Sequence, residues 1–506
     1  MAHNVQKLSI QEVQDKVNSR KHVSMSRPFT VSMIAFVLIL SMHGLCRRVE
    51  AQESLWQVKV DFNRPIKAMH PAYNSININN PTNLLEQTEQ NPAYDEAIRA
   101  LNFRMMRFQG PGLNWDYKKT YTDEDFKPLS DAVTKAFEVW GVQELMFAVH
   151  RISLPKDDDG RFIKDEFSAY AKFLAQFVRR FPQVLYWEPF NELDHPKKVA
   201  QLQELGQGYG DVVELYVECA KAMKAVNPRI RVGGPSLCDA NAGALDTFLK
   251  GAGGHIDFVS WHDYPTGSAK TSDEDILASI TGKSRFVGGA DRLYRVMERN
   301  NVARLPLYFD EYHINYAAGH PKDHRTATQF TAVFCASVLS NMSRTQTQRV
   351  FLHELRLRHY GLVGLLKEER FAAESNMFDK SGDDVIRARP AAWVYKWFNQ
   401  YAGGEWVQCD STISETDAQT PRGPLLDACA WRTHDAKVVL LVNKDTAPRM
   451  VSVELGPIHS DGFALPVRTM MVADGVPTES YTAGTRNGRM SVHLPAMSVL
   501  FIVQEQ

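Results

Sequence analysis

Eight short apolar segments alternate with stretches of helical periodicity between residues 72 and 352, and this alternation restricts the fold more than any other feature of the sequence. In residues 165–181, for example, apolar side chains recur at i, i+3, i+4 and i+7. Alternating strands and helices are typical of parallel α/β folds, and eight such units predict a (β/α)8 TIM barrel. A doubly wound sheet is the alternative, but no Gly-x-Gly-x-x-Gly follows the first predicted strand. The predicted strands are residues 72–78, 103–108, 144–149, 184–187, 231–233, 258–261, 307–309 and 350–352.

The pattern changes after residue 402. Strand-like segments separated by Gly, Pro, Asp and Asn then follow one another with little helical periodicity, which predicts a C-terminal β-sandwich of residues 403–506. Residues 55–62 (LWQVKVDF) alternate apolar and polar side chains, so we expect a strand within residues 52–65 to join the C-terminal sheet. The barrel is predicted to comprise residues 66–402.

The N-terminus has the features of a secretory signal peptide. Residues 29–45 are apolar, basic residues precede them, and the small-residue pattern Val49-Glu50-Ala51 follows. We therefore predict that residues 1–51 are removed and that the mature protein is secreted or periplasmic. A start at Met25 would give a signal peptide of more ordinary length. An uncleaved single-span anchor is the alternative, because the segment is near the ~18-residue minimum for crossing a bilayer.

Charge and cysteine content exclude several classes of protein. The 506 residues include 58 basic and 59 acidic side chains, and this balance disfavours nucleic acid or an anionic membrane as the main partner. Five cysteines remain after residue 51, and their spacing matches no zinc motif. Cys409 and Cys429 either pair within the C-terminal domain or remain free thiols.

Carboxylates cluster where the predicted strands end. The fourth strand is followed by Asn191-Glu192, and the seventh by Asp310-Glu311. Catalytic residues of such barrels lie at the carboxyl ends of the strands, and strands four and seven face each other across the barrel mouth. Glu192 and Glu311 can therefore converge. Because neighbouring residues on a strand face opposite sides, only one of Asp310 and Glu311 is expected to enter the site.

These motifs resemble those of clan A glycoside hydrolases, a group of retaining enzymes on (β/α)8 barrels. Within the clan the sequence is most similar to family 39, which includes xylosidases and iduronidases, with family 51 arabinofuranosidases next. The resemblance implies that Glu192 is the general acid/base and Glu311 the nucleophile. It also extends to residues 107–110 after the second strand and to residues 233–235 after the fifth.

The sequence departs from the family at two positions. Leu193 follows the acid/base glutamate, where the family usually has Pro. The eighth strand ends in His353-Glu354, where members of the clan often carry a Trp below the sugar. The second departure leaves the sugar specificity open.

Retaining hydrolysis explains why two carboxylates are needed. One carboxylic acid protonates the departing oxygen, and the other carboxylate, ~5–5.5 Å away, attacks the anomeric carbon. A neighbouring negative charge is expected to raise the pKa of the acid. Asn191 is placed to hydrogen-bond the sugar 2-OH. Tyr264 or His262 could keep the nucleophile ionised by donating a hydrogen bond to it.

Other polar and aromatic residues near the strand ends are candidates for supporting roles. Arg107 would supply positive charge and a donor near the nucleophile. Glu188 is expected to point into the barrel as a structural charge paired with an arginine. Trp115 either stacks on a sugar or packs in the core. Glu354 either contacts the substrate or is the buried partner of Arg356.

The sequence therefore predicts a secreted retaining glycosidase that hydrolyses O-glycosidic bonds of an oligo- or polysaccharide through a covalent glycosyl-enzyme intermediate. No cofactor is needed for this chemistry. No metal site is expected either, because the histidines form no His-Glu-x-x-His motif. A non-catalytic carbohydrate-binding protein on the same barrel is the alternative. A metal-dependent hydrolase is a further, less favoured one.

Overall fold

The computed structural model describes residues 56–110, 114–150, 152–283, 285–317, 323–355, 362–365, 386–456, 466–483 and 488–505. The predicted signal peptide, residues 1–51, lies outside them. No helix within these ranges is long and apolar enough to cross a membrane.

Eight parallel strands form the barrel, as predicted. The fifth strand is interrupted at Gly233. Its first half pairs with the fourth strand and its second half with the sixth, so the sheet closes on itself. A Cβ at Gly233 would lie 2.4 Å from the Phe258 ring, so glycine permits this close approach. The strands are Asn74–Asn79, Met105–Gln109, Glu144–Ala148, Tyr186–Glu188, Arg231–Val232 with Gly234–Leu237, Val259–Asp263, Leu307–Tyr312 and Thr347–Leu352.

Helices connect these strands and cover the outside of the barrel, and most of them are amphipathic. Phe167–Arg180 contains the predicted periodic pattern and buries eight apolar or aromatic side chains between Phe167 and Val178. Its last turn carries Arg179 and Arg180, whose positive charges interact favourably with the negative end of the helix dipole. The helices up to the eighth strand are Pro81–Gln90, Ala93–Ala100, Asp123–Glu138, Phe167–Arg180, Pro196–Glu204, Tyr209–Val226, Ala242–Ala252, Asp273–Thr281, Phe286–Arg299 and Gln329–Met342. Pro390–Gln400 follows the barrel.

Nine further strands form one curled mixed sheet, and Val363–Leu365 pairs with Ile386–Ala388 in a separate two-stranded sheet. Trp56–Ala68 lies inside the nine-stranded sheet, antiparallel to Glu405–Thr412 and parallel to Arg449–Glu454. The alternating apolar residues of Trp56–Ala68 belong to the core enclosed by the sheet. The strands, in spatial order, are Val476–Ala483, Pro466–Ala473, Ser498–Glu505, Ala436–Asn443, Leu426–Arg432, Glu405–Thr412, Trp56–Ala68, Arg449–Glu454 and Arg489–Leu494.

One buried helix joins the barrel to this sheet. In the helix Gln329–Met342, all thirteen residues from Phe330 to Met342 are buried. The outer face of the sheet, including Leu440 and Phe501, belongs to the same apolar core as this helix, whereas Leu441 and Ile502 belong to the core enclosed by the sheet. Both faces of these strands are therefore buried, which explains their nearly continuous apolar sequence.

The cysteines of the described residues are free thiols, Cys409 and Cys429 among them. Burial raises the pKa of the Cys429 thiol to about 12, so this thiol remains protonated at neutral pH.

We predict that Trp56→Ala destabilises the protein by about 3–5 kcal/mol, because it removes a fully buried ring from the core of the sheet. The ring also donates a hydrogen bond from Nε1 to Asp417 Oδ2 over 2.9 Å. Denaturant unfolding of the two proteins measures the difference. Ile66→Ala is the matched control on the same strand, since Ile66 is 64% exposed and its truncation should cost less than about 0.5 kcal/mol. Equal effects of the two changes would contradict this account.

Candidate active site

Glu192 and Glu311 converge at the mouth of the barrel. Glu192 lies four residues beyond the fourth strand, and Glu311 lies within the seventh. A carboxylate oxygen of Glu192 is within 4.8 Å of one of Glu311. Glu192 has φ 55°, a left-handed conformation, and its backbone N–H donates to Ser236 O over 2.9 Å. This hydrogen bond holds the turn that carries Glu192 against the fifth strand.

Several donors surround the carboxylate of Glu311. Tyr264 Oη donates to Glu311 Oε1 over 2.8 Å, and Gln109 Nε2 donates to Oε2. Arg107 Nη1 is 3.6 Å and His353 Nδ1 3.8 Å from Oε2. Burial by itself would raise the pKa of Glu311. The two histidines nearby, Arg107 and the tyrosine hydroxyl outweigh it and hold the pKa far below its usual range, so Glu311 is ionised.

Two cations contact Glu192: His262 faces its carboxylate, and Lys198 Nζ donates to its backbone carbonyl over 2.9 Å. His262 Nδ1 lies 2.8 Å from Glu192 Oε1, and the glutamate side chain is 29% exposed. Burial and the charge of Glu311 raise the pKa of Glu192, as the sequence argument expects. The hydrogen bond and positive charge of His262 outweigh them, so the pKa of Glu192 lies below its ordinary value.

His262 is fully buried and lies between acidic groups. Burial would lower the pKa of its imidazole, but Glu311, Asp310 and Glu192 together raise it to about 9. His262 is therefore a cation at neutral pH, and its Nδ1 lies 4.0 Å from Glu311 Oε2 as well as beside Glu192. Of the two residues predicted to donate to Glu311, Tyr264 does so, whereas His262 donates to Glu192 and lies 4.0 Å from Glu311.

A β-bulge in the seventh strand turns two consecutive carboxylates into the barrel. Phe309 pairs with Trp261 but Glu311 pairs with His262, so Asp310 is an extra residue relative to the sixth strand. The register against the eighth strand shifts at the same place. The expectation that only one of Asp310 and Glu311 enters the site is therefore wrong, because the bulge breaks the two-residue alternation.

A layer of fully buried charged residues supports the two glutamates from below. Arg107 Nε donates to Glu188 Oε2 over 2.7 Å and lies 3.2 Å from Asp310 Oδ2. Arg107 Nη2 donates to Asn191 Oδ1 and to Ser236 Oγ, each over 2.9 Å. The predicted pairing of Glu188 with an arginine is confirmed. Arg107 thereby orients Asn191, the residue next to Glu192.

Two predicted site residues lie elsewhere. Trp115 is 1% exposed and stacks on Phe126 with ring centroids 4.6 Å apart, so the structure does not bring it to the two glutamates. Glu354 is buried, and its Oε2 accepts a 2.6 Å hydrogen bond from the backbone N–H of Asn79. Glu354 thus ties the end of the eighth strand to the end of the first. Arg356, its suggested partner, lies outside the described residues.

Sequence reasoning did not assign roles to His353, Gln109 and Ser236, although all three lie at strand ends. The alternation of side chains along each strand could have indicated them, because every second residue of a barrel strand faces the interior. Residues 105, 107 and 109 face inwards on the second strand, which places Gln109 above Arg107. At the end of the eighth strand, His353 comes two residues after the inward-facing Phe351 and lies above it near Glu311.

Two groups of side chains in the described residues have metal-ligating atoms within 4.8 Å of one another, namely Glu192 with His262 and Glu311, and Asp194 with Cys238 and Asp239. In the first group, each nitrogen of His262 faces an oxygen acceptor. Such a ring acts as a donor of two hydrogen bonds and has no free lone pair for a metal. The first group therefore fits acid–base chemistry better than metal binding.

Comparisons with known proteins agree with this fold. Residues 171–351 match the family model of Glycosyl hydrolases family 39. A beta-xylosidase from Caldicellulosiruptor saccharolyticus is 33% identical over 100 residues, 20% of this chain and 20% of that protein. A beta-xylosidase from Geobacillus stearothermophilus is 27% identical over 136 residues, 25% of this chain and 26% of its own length. The chain therefore matches about a quarter or less of each relative.

A solved structure extends the likeness to both domains. The GH51 alpha-L-arabinofuranosidase from Thermotoga petrophila has a TM-score of 0.64 and 15% identity, over 89% of this chain and 100% of that one. At this identity the likeness concerns the fold, a barrel with a C-terminal sandwich. The resemblance to families 39 and 51 noted in the sequence is thereby confirmed.

We predict that Arg107→Met lowers the free energy of unfolding by about 3–5 kcal/mol, because Glu188 would remain as a buried charge without its partner. Urea unfolding monitored by circular dichroism measures this difference. Lys127→Met is the control, since it breaks an ion pair with Asp131 on an exposed helix face and should leave the stability almost unchanged. A stable Arg107→Met protein would show that the buried layer does not depend on this charge.

Proposed function

We propose that the chain is a retaining glycoside hydrolase that cleaves O-glycosidic bonds with Glu192 as general acid/base and Glu311 as nucleophile. The observation that carries the proposal is the approach of the two carboxylates to within 4.8 Å across the barrel mouth. Retaining glycosidases hold their carboxyl groups ~5–5.5 Å apart, whereas inverting enzymes leave ~6.5–9.5 Å for a water molecule. The match of residues 171–351 to family 39 supports the same conclusion.

The environments of the two glutamates fit these roles. Glu311 is ionised and accepts hydrogen bonds from Tyr264 and Gln109, which orient it for attack on the anomeric carbon. In the first step the bond from the anomeric carbon to the leaving oxygen breaks, that oxygen takes a proton from Glu192, and Glu311 becomes a glycosyl ester. In the second step Glu192 takes a proton from water, and the hydroxide attacks the anomeric carbon and releases Glu311.

Pentose glycosides are the substrates we propose to examine first. The relatives matched in sequence are beta-xylosidases, and the structural neighbour is an arabinofuranosidase. Asn191, held by Arg107, is placed to bind the 2-OH of the sugar. His353 lies 3.8 Å from Glu311 at the strand end where the clan often has Trp, so a smaller polar group borders this part of the sugar site.

Export from the cytoplasm is also part of the proposal. The basic, apolar and small-residue pattern of residues 1–51 supports a cleaved signal peptide and a secreted or periplasmic mature protein. N-terminal sequencing of the mature protein tests it. A start near residue 52 is expected, and an N-terminus at Met1 or Met25 on a membrane-bound protein would favour the uncleaved anchor.

We predict that Glu311→Gln lowers kcat/KM on aryl xylosides and arabinofuranosides by several orders of magnitude, because a neutral amide cannot form the glycosyl ester. A panel of aryl glycosides assayed side by side measures the loss. Glu204→Gln, on an exposed helix surface, is the control and should retain full activity. Full activity of Glu311→Gln would reject the assignment. Wild type that binds glycans without cleaving any would favour the carbohydrate-binding alternative.

We predict that Glu192→Ala slows substrates with poor leaving groups by about 10²–10⁴-fold but spares dinitrophenyl glycosides in the first step, because an acidic leaving group departs without a proton. Added azide should restore turnover and yield a glycosyl azide whose anomeric configuration, read by NMR, matches that of the substrate. An azide product of opposite configuration would contradict the assignment of Glu192 as the acid/base of a retaining enzyme.

A further inference from the structure

Glu192 poses a chemical difficulty that its own surroundings do not resolve. A general acid must begin the reaction with a proton, yet the charge of His262 favours the ionised form of Glu192. The hydrogen-bond donor that faces its carboxylate is His262 Nδ1, 2.8 Å away, whereas Lys198 binds the backbone carbonyl of Glu192. The proton required by the leaving group is therefore stored on the pair Glu192–His262, and its supply depends on what keeps His262 protonated.

The far side of the His262 ring provides that control. Its Nε2 lies 3.0 Å from Ser236 Oγ and 3.4 Å from Asp310 Oδ1, and His262 and Asp310 are both fully buried. The Ser236 hydroxyl donates to Asn191 Oδ1 over 3.4 Å and so presents only lone pairs to the ring. With acceptors at both nitrogens, the imidazole is best satisfied when both carry protons.

Asp310 lies between the two cations Arg107 and His262. Its Oδ2 is 3.2 Å from Arg107 Nε and its Oδ1 is 3.4 Å from His262 Nε2, and neither contact has the geometry of a hydrogen bond. Burial and the neighbouring Glu188 carboxylate raise the pKa of Asp310 well above its usual range, against the opposing charges of Arg107 and His262. The bulge in the seventh strand is what brings this side chain into the barrel next to Glu311.

On this basis, and given the proposed glycosidase function, we propose that Asp310 is a positioning residue that keeps a proton on His262 and thereby supplies the acid/base Glu192. In the first step His262 Nδ1 gives its proton to Glu192 as Glu192 protonates the leaving oxygen. In the second step Glu192 takes a proton from the attacking water and returns it to His262. One proton leaves with the alcohol and one arrives from water, so the pair is regenerated.

The pH dependence follows from the groups that face His262. Glu311, Asp310 and Glu192 stabilise the imidazolium against burial, and its charge in turn lowers the pKa of the nearby His353, while Arg107 contacts the same Asp310 carboxyl group. The pKa of His262 is raised to about 9, so its proton is present below that pH and is lost as the pH rises through it. Removal of an acceptor lowers this pKa, and the alkaline limb of the activity profile then moves to lower pH.

The test compares leaving groups across pH in wild type, Asp310→Leu and Asp310→Asn. Leu has a similar size but no acceptor, whereas Asn keeps an oxygen that can face His262. For poor leaving groups we expect the alkaline limb of the kcat/KM profile to move to lower pH by at least about one unit in Asp310→Leu. In Asp310→Asn the limb should return most of the way to its wild-type position. Dinitrophenyl glycosides should show no such shift in the first step, because they need no acid.

Asp427→Leu is the matched control, since it removes another buried aspartate, which pairs with Lys444 at 3.0 Å in the nine-stranded sheet. It should lower stability without moving the alkaline limb. Equal losses on good and poor leaving groups in Asp310→Leu, at every pH, would show that Asp310 has a merely structural role and would overturn the proposal.

Nitrogen-15 NMR of labelled histidines in wild type provides a second measurement that needs no variant of Asp310 and no activity. The His262 signal, assigned by its absence in His262→Gln, should be that of an imidazolium at pH 7 and titrate near pH 9. A neutral His262 at pH 7 would overturn the proposal even if Asp310→Leu fails to fold. Wild type inactive on every glycoside would instead reject the proposed function, while the NMR signal still decides the charge of His262.

Discussion

The arrangement of the site depends on one buried guanidinium. Arg107 is fully enclosed by the barrel and contacts groups from several other strands or their carboxyl ends, including Glu188, Asp310, Glu311 and Asn191. A charge in this position is tolerated only if it is paired and hydrogen-bonded, because desolvation is expensive. The same bonds that satisfy Arg107 therefore fix the positions of the carboxylates around it. Stability and the geometry of the site are thus coupled through a single side chain.

The barrel interior is layered along its axis. Apolar side chains such as Met105 and Phe351 fill its lower part, the charged layer with Arg107 follows, and the two glutamates lie at the mouth. The lower layer excludes water beneath the charged residues, which strengthens every electrostatic interaction above it. In the proposed first step Glu311 loses its negative charge as the ester forms, and His262 loses its positive charge as it gives up its proton. His262 lies beside both carboxylates, so the net charge of the three residues stays the same during the step.

Much of the fold and part of the site were accessible from sequence, for identifiable reasons. The eight strands were found because parallel strands buried on both faces are continuously apolar. The convergence of Glu192 and Glu311 followed from the rule that active sites lie at the carboxyl ends of barrel strands. Sequence reasoning failed where local regularity breaks. Asp310 was expected to face away from the site, and Trp115 was considered as a sugar platform although it packs against Phe126.

The sequence by itself determined which elements form and which residue types stand at their ends, because hydrophobic periodicity and strand–helix alternation are local properties of the chain. Only the tertiary structure decided how those residues are charged. The bulge at Asp310, the left-handed turn at Glu192 and the burial of His262 depend on contacts between strands far apart in sequence. Protonation depends on such contacts, because burial and neighbouring charges shift a pKa by amounts that no local pattern encodes.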